Sequence, residues 1–295
     1  MAESRSPDVV LVTGRQMRRP DPEIHLLAAA LEAKTIGVVI RPWDNATEWA
    51  SVPLVVVRSP WDYSDAHEEF LSWARSVAAV ARMVNPLEVL EWNSHKSYLL
   101  DLASAGVPTV VTTLVQRGAS DAEQADALAA FPGELVIKPA VSVGAIGALR
   151  AGSSSAEAAT HLAELASAGD VLVQPLARSV LDGGESSLIY FGGQFSHAIR
   201  KIPADGDYRV QEHHGGSVVP HEPTGEEFEV AAATLAAAPA ATAYARVDLV
   251  DVDGSPAVME LEAIEPQLFL DRDPGAAARF ATHIATLIPE PAAEH

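Results

Sequence analysis

Two alternating runs of residues, the first starting at Arg246 and the second ending at Glu262, flank a turn rich in Asp, Gly, Ser and Pro. This pattern predicts an antiparallel β-hairpin. Side chains two residues apart on a strand share a face, so Arg246 and Asp248 point the same way. Glu260 and Glu262 likewise share a face of the second strand, and the other strand positions are apolar. A three-residue loop at 253–255 places Asp248 opposite Glu260. The same register places Arg246 opposite Glu262.

Three carboxylates on one patch repel one another, and holding them near a core is costly unless a cation lies between them. Hard oxygen ligands on a rigid sheet suit Mg²⁺, which in proteins usually accompanies phosphates. The alternative is a solvated sheet face with one Arg–Glu ion pair. The hairpin therefore predicts either a magnesium and phosphate site or a polar surface. Residues elsewhere in the chain are needed to distinguish these two alternatives.

The chain has 295 residues, of which 20% are charged and 48% hydrophobic, so it is expected to be globular with two or three subdomains. No apolar run approaches the ~20 residues that a membrane helix needs. Residues 1–8 contain no apolar targeting core. These features predict a soluble cytoplasmic protein without a membrane partner.

A formal net charge of −20 argues against nucleic acid as a partner, because no basic surface is available to replace the counterions of a phosphate backbone. Any bound phosphate must be met by a few local lysines and by metal. The sequence contains no cysteine, which excludes disulfides, thiolate nucleophiles and Cys-based zinc sites.

The first part of the chain predicts alternating strands and helices. Strands are predicted at 9–14, 38–40 and 54–57, and helices at 21–34 and 64–80. Asp21 is expected to cap the first helix, with Pro22 at its first position. This order predicts a small open α/β domain, whose ligands tend to lie at the carboxyl ends of the strands.

The predicted strand ends in this domain are polar, and the third carries Arg58, Trp61, Asp62 and Tyr63. An Arg beside an Asp and aromatic rings can hold a small zwitterion, because the guanidinium binds a carboxylate and the Asp binds an ammonium group. The alternative for any one of these residues is an ordinary turn capped by Asp.

The remainder of the chain predicts α+β structure. Helices are predicted at 94–105, 121–130, 155–167, 225–238 and 274–287, and strands at 109–115, 135–139, 171–176, 186–191 and 194–202. Lys96 is expected on the first of these helices and Lys138 at the end of a strand. The loop at 142–147, which includes Gly144, has backbone N–H groups able to cover phosphates, although two glycines three residues apart also mark a plain hairpin.

Taken together, these segments resemble the ATP-grasp ligases over nearly the whole chain. In that superfamily a nucleotide lies between two α+β subdomains, and an N-terminal α/β domain supplies much of the substrate site. The resemblance rests on the order and spacing of Lys96, Lys138, Gln174-Pro175-Leu176, residues 184–188, residues 197–203, Arg246-Val247-Asp248 and Glu260-Leu261-Glu262. It predicts an N-terminal domain at 1–92, a central subdomain with a lid loop at 93–175 and a C-terminal subdomain with a metal site at 176–295.

The resemblance also implies roles for single residues, with ATP and Mg²⁺ as cofactors. Lys96 and Lys138 would contact phosphates, Gln174 and the Leu176 backbone would bind the adenine edge, and the loop with Gly144 would close over the phosphates. Glu185 would lie near the nucleotide or substrate. Asp248, Glu260 and Glu262 would hold Mg²⁺, and Arg246 would stabilise charge on the transferred phosphoryl group. Many relatives carry Asn where this chain has Glu262, and for each lysine a solvated surface position is the alternative.

A narrower resemblance links the chain to the branch that includes the cyclo-ligase closing O-ureidoserine into cycloserine. It rests on residues 58–63, residues 196–203 and residues 259–266. It implies carboxylate activation through an acyl phosphate and attack by the substrate's own nitrogen, in antibiotic biosynthesis. The candidates for the pocket of a small amino-acid-like substrate are Arg58, Trp61, Asp62, Tyr63, Arg209 and His213, the last of which is equally explained as a surface histidine.

Two other functions stay open on the sequence. One is an ATP-grasp ligase that joins two separate small molecules, as dipeptide ligases do. The other is a nonenzymatic nucleotide-binding module. The presence of Arg246, Asp248 and Glu260 argues against it, because binding alone does not require that combination. Whether copies of the chain form a homo-oligomer is also open.

Overall fold

The computed structural model describes residues 7–16 and 20–290, apart from the side chain of His213. The first six residues, in which no targeting segment is predicted, lie outside this part. The described chain forms three sheets of four, four and five strands. It contains no helix that is both long and apolar enough to cross a membrane.

The first sheet is parallel, with strand order β2-β1-β3-β4, and confirms the predicted open α/β unit. Its two central strands, β1 and β3, are buried almost throughout, as expected for a sheet covered on both faces. The elements are β1 (Val9–Thr13), α1 (Ile24–Glu32), β2 (Val38–Pro42), β3 (Leu54–Ser59), α2 (His67–Ala78) and β4 (Arg82–Val84).

The second sheet is antiparallel, with order β5-β8-β6-β7, and packs against α5 and α6. Both helices begin at a Ser whose side chain accepts a hydrogen bond from the first turn. The elements are α3 (Leu87–Asn93), α4 (Tyr98–Ser104), β5 (Thr113–Val115), α5 (Asp121–Ala129), β6 (Glu134–Pro139), β7 (Leu149–Gly152), α6 (Ala156–Ala168) and β8 (Val171–Pro175).

The third sheet is antiparallel, with order β11-β10-β9-β12-β13, and contains both predicted hairpins. The elements are α7 (Ser179–Gly183), β9 (Glu185–Phe191), β10 (Gln194–Ile202), β11 (Ser217–Pro220), α8 (Gly225–Ala236), β12 (Tyr244–Val252), β13 (Ser255–Glu262) and α9 (Ala276–Leu287). The predicted boundary between residues 92 and 93 falls within α3, and the one after residue 175 falls at the end of β8; both stay predictions.

The hairpin of β12 and β13 has the predicted pairs, Asp248 opposite Glu260 and Arg246 opposite Glu262. The predicted three-residue loop is wrong, because Val252 pairs with Ser255 across a two-residue turn. The register is restored by a β-bulge, in which Met259 is the extra residue between two adjacent pairs. Without this bulge the shorter turn would move the carboxylates of β13 to the opposite face.

The first sheet is joined to the third by buried polar contacts and a shared core. The Asn85 amide donates hydrogen bonds to the backbone oxygens of Tyr244 and Ala263 at 2.8 and 2.7 Å, and its oxygen accepts from the N–H of Ala243 at 2.6 Å. The helix α9 packs in the same hydrophobic cluster as α1 and β1. The site-bearing hairpin is therefore fixed relative to the N-terminal sheet.

Several predicted boundaries are wrong for local reasons. The first helix begins at Ile24, so Asp21 and Pro22 precede it, and the Asp21 carboxylate accepts from the N–H of Glu23 instead. Lys96 lies in the turn between α3 and α4 rather than on a helix. The predicted strand at 109–115 is reduced to β5, and the short elements β4, β7, β11 and α7 were not predicted, since few residues leave little periodicity to detect.

Candidate active site

All three sheets contribute to one cavity of about 730 Å³. Trp61 comes from the loop after β3, Gln174 from β8, and Asp248 and Glu260 from the hairpin. Among the residues predicted for the site, those that line this cavity are Trp61, Lys96, Lys138, Gly144, Gln174, Leu176, Glu185, Arg209, Arg246, Asp248, Glu260 and Glu262.

Arg246 is the centre of the acidic patch. Its guanidinium donates to Asp248 at 2.8 Å and also forms an ion pair with Glu262 across the strands. Asp248 is 1% exposed, and its second cationic partner is Lys201 at 3.0 Å. Burial by itself raises the pKa of Asp248, but Arg246 and Lys201 outweigh burial and hold it below the usual value. Asp248 is therefore ionised at neutral pH.

Glu260 faces the two lysines that are predicted to contact phosphates. Its carboxylate lies 3.0 Å from Lys96 Nζ, which also donates to the backbone oxygen of Ser142 at 2.6 Å. Burial raises the pKa of Glu260, but Lys96 and Lys138 outweigh it and lower the pKa below its ordinary value. Burial lowers the pKa of Lys138, which makes no ion pair within the described residues. Lys138 is thus available for an anionic ligand.

The donor types of this patch fit Mg²⁺. Asp248, Glu260 and Glu262 offer carboxylate oxygens, which are the ligands that Mg²⁺ prefers. The described residues include no three acidic or histidine side chains already gathered around one point, because each of these carboxylates faces a lysine or arginine. Burial, and then the charges of Glu260 and Asp248, raise the pKa of Glu262 despite Arg246, so an added cation is favoured there. A triphosphate that binds the lysines would release carboxylate oxygens to the metal.

The predicted adenine contacts need one correction. Gln174 is buried and its amide donates to the Thr112 hydroxyl at 2.8 Å, while its strand ends at the cavity. The backbone N–H of Leu176 already donates to the oxygen of Glu134 at 3.0 Å, so it is not available to a base. Pro175 has no N–H. The next backbone N–H along the chain belongs to Ala177, which lines the cavity, and this N–H donates no backbone hydrogen bond within the described residues.

The loop at 142–147 borders the cavity next to the lysines. Gly144 has φ +60°, a left-handed conformation that glycine adopts without strain. Glu185, at the start of β9, forms an ion pair with Lys201. Burial is the main cause that raises the pKa of Glu185, to about 7, with Lys201 acting in the opposite direction.

Of the four substrate candidates in the N-terminal sheet, only Trp61 lines the cavity. The Asp62 carboxylate accepts from the backbone N–H groups of Arg15 and Gln16 at 2.9 and 3.0 Å, so it caps a turn instead of binding an ammonium group. Tyr63 is 2% exposed in the core against Phe70. The capped-turn alternative therefore holds for Asp62.

Arg58 has an internal role. It is 1% exposed, and its guanidinium donates to the backbone oxygen of Pro266 at 3.2 Å and lies over the Tyr244 ring. Its Nη2 is 3.9 Å from Glu23, whose carboxylate accepts from the N–H of Phe269 at 2.7 Å. Arg58 does not line the cavity, so its predicted contact with substrate stays a prediction. A strand-end Arg can equally reach the backbone oxygens of a neighbouring segment, as Arg58 does here.

We expect Arg58→Ala to lower the free energy of unfolding by about 3 kcal/mol, because it leaves Glu23 as a buried carboxylate without its cation. Denaturant unfolding measures this change, with the exposed Arg41→Ala as the matched control. Unchanged stability together with a raised KM for substrate would restore the original substrate assignment.

The two candidates from the polar loop after β10 remain predictions. Arg209 lines the cavity, and its guanidinium pairs with Asp207 at 2.8 Å in a partly exposed position. The His213 side chain lies outside the part of the chain that the structure describes, and its backbone belongs to a short 3-10 turn, Glu212–His214.

Lys201 is a site residue that the sequence reasoning did not assign. It is buried, lines the cavity and bridges Glu185 and Asp248. The predicted hairpin of β9 and β10 contained the signal, since Lys201 pairs directly with Glu185 across its strands.

The segment 265–270, which follows β13, is a second part of the site that the sequence pattern does not indicate. It borders the cavity with Glu265, Gln267 and Phe269. We name it the wall segment. The N–H groups of Leu268 and Phe269 donate to Glu23, and His197 Nε2 donates to the Leu268 oxygen at 2.9 Å. These bonds maintain the positive φ of +53° at Phe269, which is unfavourable for a bulky residue.

The comparisons with known proteins agree with this site. Residues 93–278 match the family model described as the RimK-like ATP-grasp domain. The chain belongs to the RimK-like ATP-grasp family and is an ATP-dependent ligase, as the sequence predicts. The predicted ATP-grasp fold is confirmed.

One relative is similar along most of the chain. Residues 9–85 match the model described as the N-terminal domain of D-cycloserine synthetase DcsG. The cycloserine biosynthesis protein DcsG of Streptomyces lavendulae is 38% identical over an alignment of 275 residues that covers 86% of this chain and 91% of the relative. A crystal structure of D-cycloserine synthetase DcsG superposes with a TM-score of 0.87 at 34% identity, covering 95% of this chain and 99% of that one.

More distant solved structures share the fold alone. The ATP-grasp ligase PsnB, complexed with a precursor variant, Mg and ADP, has a TM-score of 0.69 at 16% identity over 96% of this chain and 99% of its own. The D-alanine–D-alanine ligase of Bacillus anthracis has a TM-score of 0.67 at 15% identity over 95% of each chain.

Proposed function

We propose that this ligase closes O-ureidoserine to cycloserine, using ATP and Mg²⁺, as a step of antibiotic biosynthesis. The observation that carries the proposal is the similarity to the cycloserine biosynthesis protein over 86% of this chain. It includes the N-terminal α/β unit, which the DcsG-specific family model matches at residues 9–85. Similarity of the ATP-grasp part alone would support only ligase chemistry.

The reaction is balanced as follows. The carboxylate of O-ureidoserine attacks the γ-phosphorus of ATP. The bond from this phosphorus to the bridging oxygen breaks, and ADP leaves with that oxygen. The O-linked nitrogen of the same molecule then attacks the acyl carbon, and the bond to phosphate breaks. A five-membered ring is formed. One water then cleaves the bond between the ring nitrogen and its carbamoyl carbon, and the carbamoyl group is released as carbon dioxide and ammonia. Both reacting groups belong to one substrate, so one substrate pocket is sufficient.

The charged residues of the cavity have separate tasks in this proposal. Lys96 and Lys138 hold the phosphates, with Lys201 beside them. Arg246 stabilises the charge that develops on the transferred phosphoryl group and on the tetrahedral intermediate. Asp248, Glu260 and Glu262 would hold Mg²⁺, which would supply positive charge to neutralise the transferred phosphoryl group.

The neutral parts of the cavity complete the arrangement. Gln174 and the N–H of Ala177 border the place for the adenine, and the loop with Gly144 covers the phosphates and excludes water from the acyl phosphate. Glu185 is linked to Asp248 through Lys201 and would lie near the nucleotide or substrate. Trp61, Arg209 and His213 are the remaining candidates for contacts with the small amino-acid-like substrate.

A substrate screen tests this function. Purified protein with Mg²⁺ and ATP is supplied with O-ureidoserine alone, and ADP and cycloserine are measured. We expect stoichiometric formation of both without any added amine. ADP formation that depends on a second amine would instead indicate a ligase that joins two molecules, and ATP binding without ADP formation from any carboxylate would indicate a nonenzymatic module.

A further inference from the structure

Glu265 is an unusual carboxylate in the wall of the cavity. It is 8% exposed, at the start of the wall segment. Its carboxylate makes no hydrogen bond or ion pair among the described residues, whereas Asp248, Glu260 and Glu262 each face a lysine or arginine. A buried carboxylate without a partner is costly to keep charged. A ligand that brings a cation to this position would remove the cost.

Glu265 lines the same cavity as the predicted phosphate and metal residues. After burial, the charges that act most on its pKa are those of Glu262, Lys96 and Glu260, which all border the cavity. Burial and Glu262 together raise this pKa to about 8. Its position is fixed from the N-terminal sheet, because Trp61 Nε1 donates to the Glu265 backbone oxygen at 3.0 Å.

The missing cation is better matched by an ammonium group than by a metal ion. Mg²⁺ is usually held by one or two carboxylates together with phosphates and water, and Asp248, Glu260 and Glu262 already supply carboxylates beside the lysines. Glu265 lies three residues beyond the end of β13, and its backbone oxygen accepts a hydrogen bond from Trp61 Nε1. In an α-amino acid the ammonium group is attached to the carbon next to the carboxyl group. A substrate whose carboxylate is at the phosphoryl site thus brings its ammonium group close to that site.

We infer that Glu265 binds the α-ammonium group of the amino acid substrate and determines the preference of the enzyme for α-amino acids. The sequence assigned this task to Asp62, which the structure places in a capped turn. The inference rests on the proposed function and adds a chemical consequence. An α-ammonium held by a carboxylate remains protonated and is not a nucleophile, and the O-linked nitrogen is favoured further because its attack closes a five-membered ring, whereas the α-nitrogen would close a three-membered one.

Calorimetric binding tests this role in the full-length protein, saturated with Mg²⁺ and a nonhydrolysable ATP analogue. The probes are O-ureidoserine and the same molecule without its α-amino group. We expect the wild type to bind the amino compound about 10- to 100-fold more tightly, the range of a charge-assisted hydrogen bond. In Glu265→Gln, which preserves the shape of the side chain, this preference should disappear. Glu265→Asp should retain part of it, and the exposed Glu157→Gln, which is remote from the cavity lining, should retain all of it.

Two outcomes would overturn the inference. One is a preference for the amino compound that Glu265→Gln leaves intact. The other is a variant whose Mg²⁺ requirement for nucleotide binding rises while the preference stays the same, since this identifies a metal ligand. The proposed function is tested separately by turnover of O-ureidoserine in the wild type. If turnover is absent, a panel of other α-amino acids with their deamino analogues still reports whether Glu265 reads the ammonium group.

Discussion

Replacing Asp248 by Asn is expected to reduce turnover about a thousandfold or more, because it removes the negative charge of a buried residue assigned to the metal. The side chain keeps its shape, so the fold is expected to remain. ADP formation measures turnover, and circular dichroism measures the fold. Titration with Mg²⁺ should show that the variant requires more metal, and that a high metal concentration restores turnover only in part.

The matched control is Asp253→Asn, which changes the same charge in the exposed turn of the same hairpin. Asn tolerates the positive φ of +53° found at Asp253. This control should keep wild-type turnover. Full activity of Asp248→Asn would refute the metal assignment of the hairpin.

The second large effect is expected for Arg246→Lys. Lysine keeps the positive charge but loses the planar fork that binds Asp248 and Glu262 at once. We expect kcat to fall about 100- to 1,000-fold, the range for loss of one donor to a developing oxyanion, while KM for ATP changes much less. Steady-state kinetics measures both values.

Arg178→Lys is the control for this substitution, because the Arg178 side chain is 75% exposed. It should leave kcat unchanged. If Arg246→Lys instead raised KM for ATP strongly without lowering kcat, Arg246 would be a nucleotide-binding residue and would have no special role in the transition state.

The hairpin shows how much sequence periodicity can predict. The alternation of β12 and β13 is sufficient to predict the pairs of Asp248 with Glu260 and Arg246 with Glu262. Most of the longer helices and strands elsewhere in the chain are predictable as well. The type of turn cannot be predicted from this alternation, because a three-residue loop and a two-residue turn with a bulge give the same pairs. Consecutive apolar residues at 257–259 conceal which of them is the extra one.

The substrate side of the site was less predictable. Polar residues at the end of a strand indicate either a pocket or contacts with a distant backbone, and only the packed structure distinguishes Trp61 from Arg58. The wall segment has no periodic pattern, and its shape depends on Glu23, which is more than two hundred residues away in sequence. Such long-range contacts leave no local signal.

The wall segment has a practical consequence for protein engineering. Its conformation is set by Glu23, Arg58 and Trp61, which belong to the first quarter of the chain, and its ligand-facing residues come from the last. Chimeras that exchange the N-terminal unit between relatives should therefore work only when both halves of these buried contacts are transplanted together. In this architecture the N-terminal contacts and the wall segment have to match for the site to keep its shape. Directed evolution restricted to one of these two segments would therefore produce mostly inactive combinations.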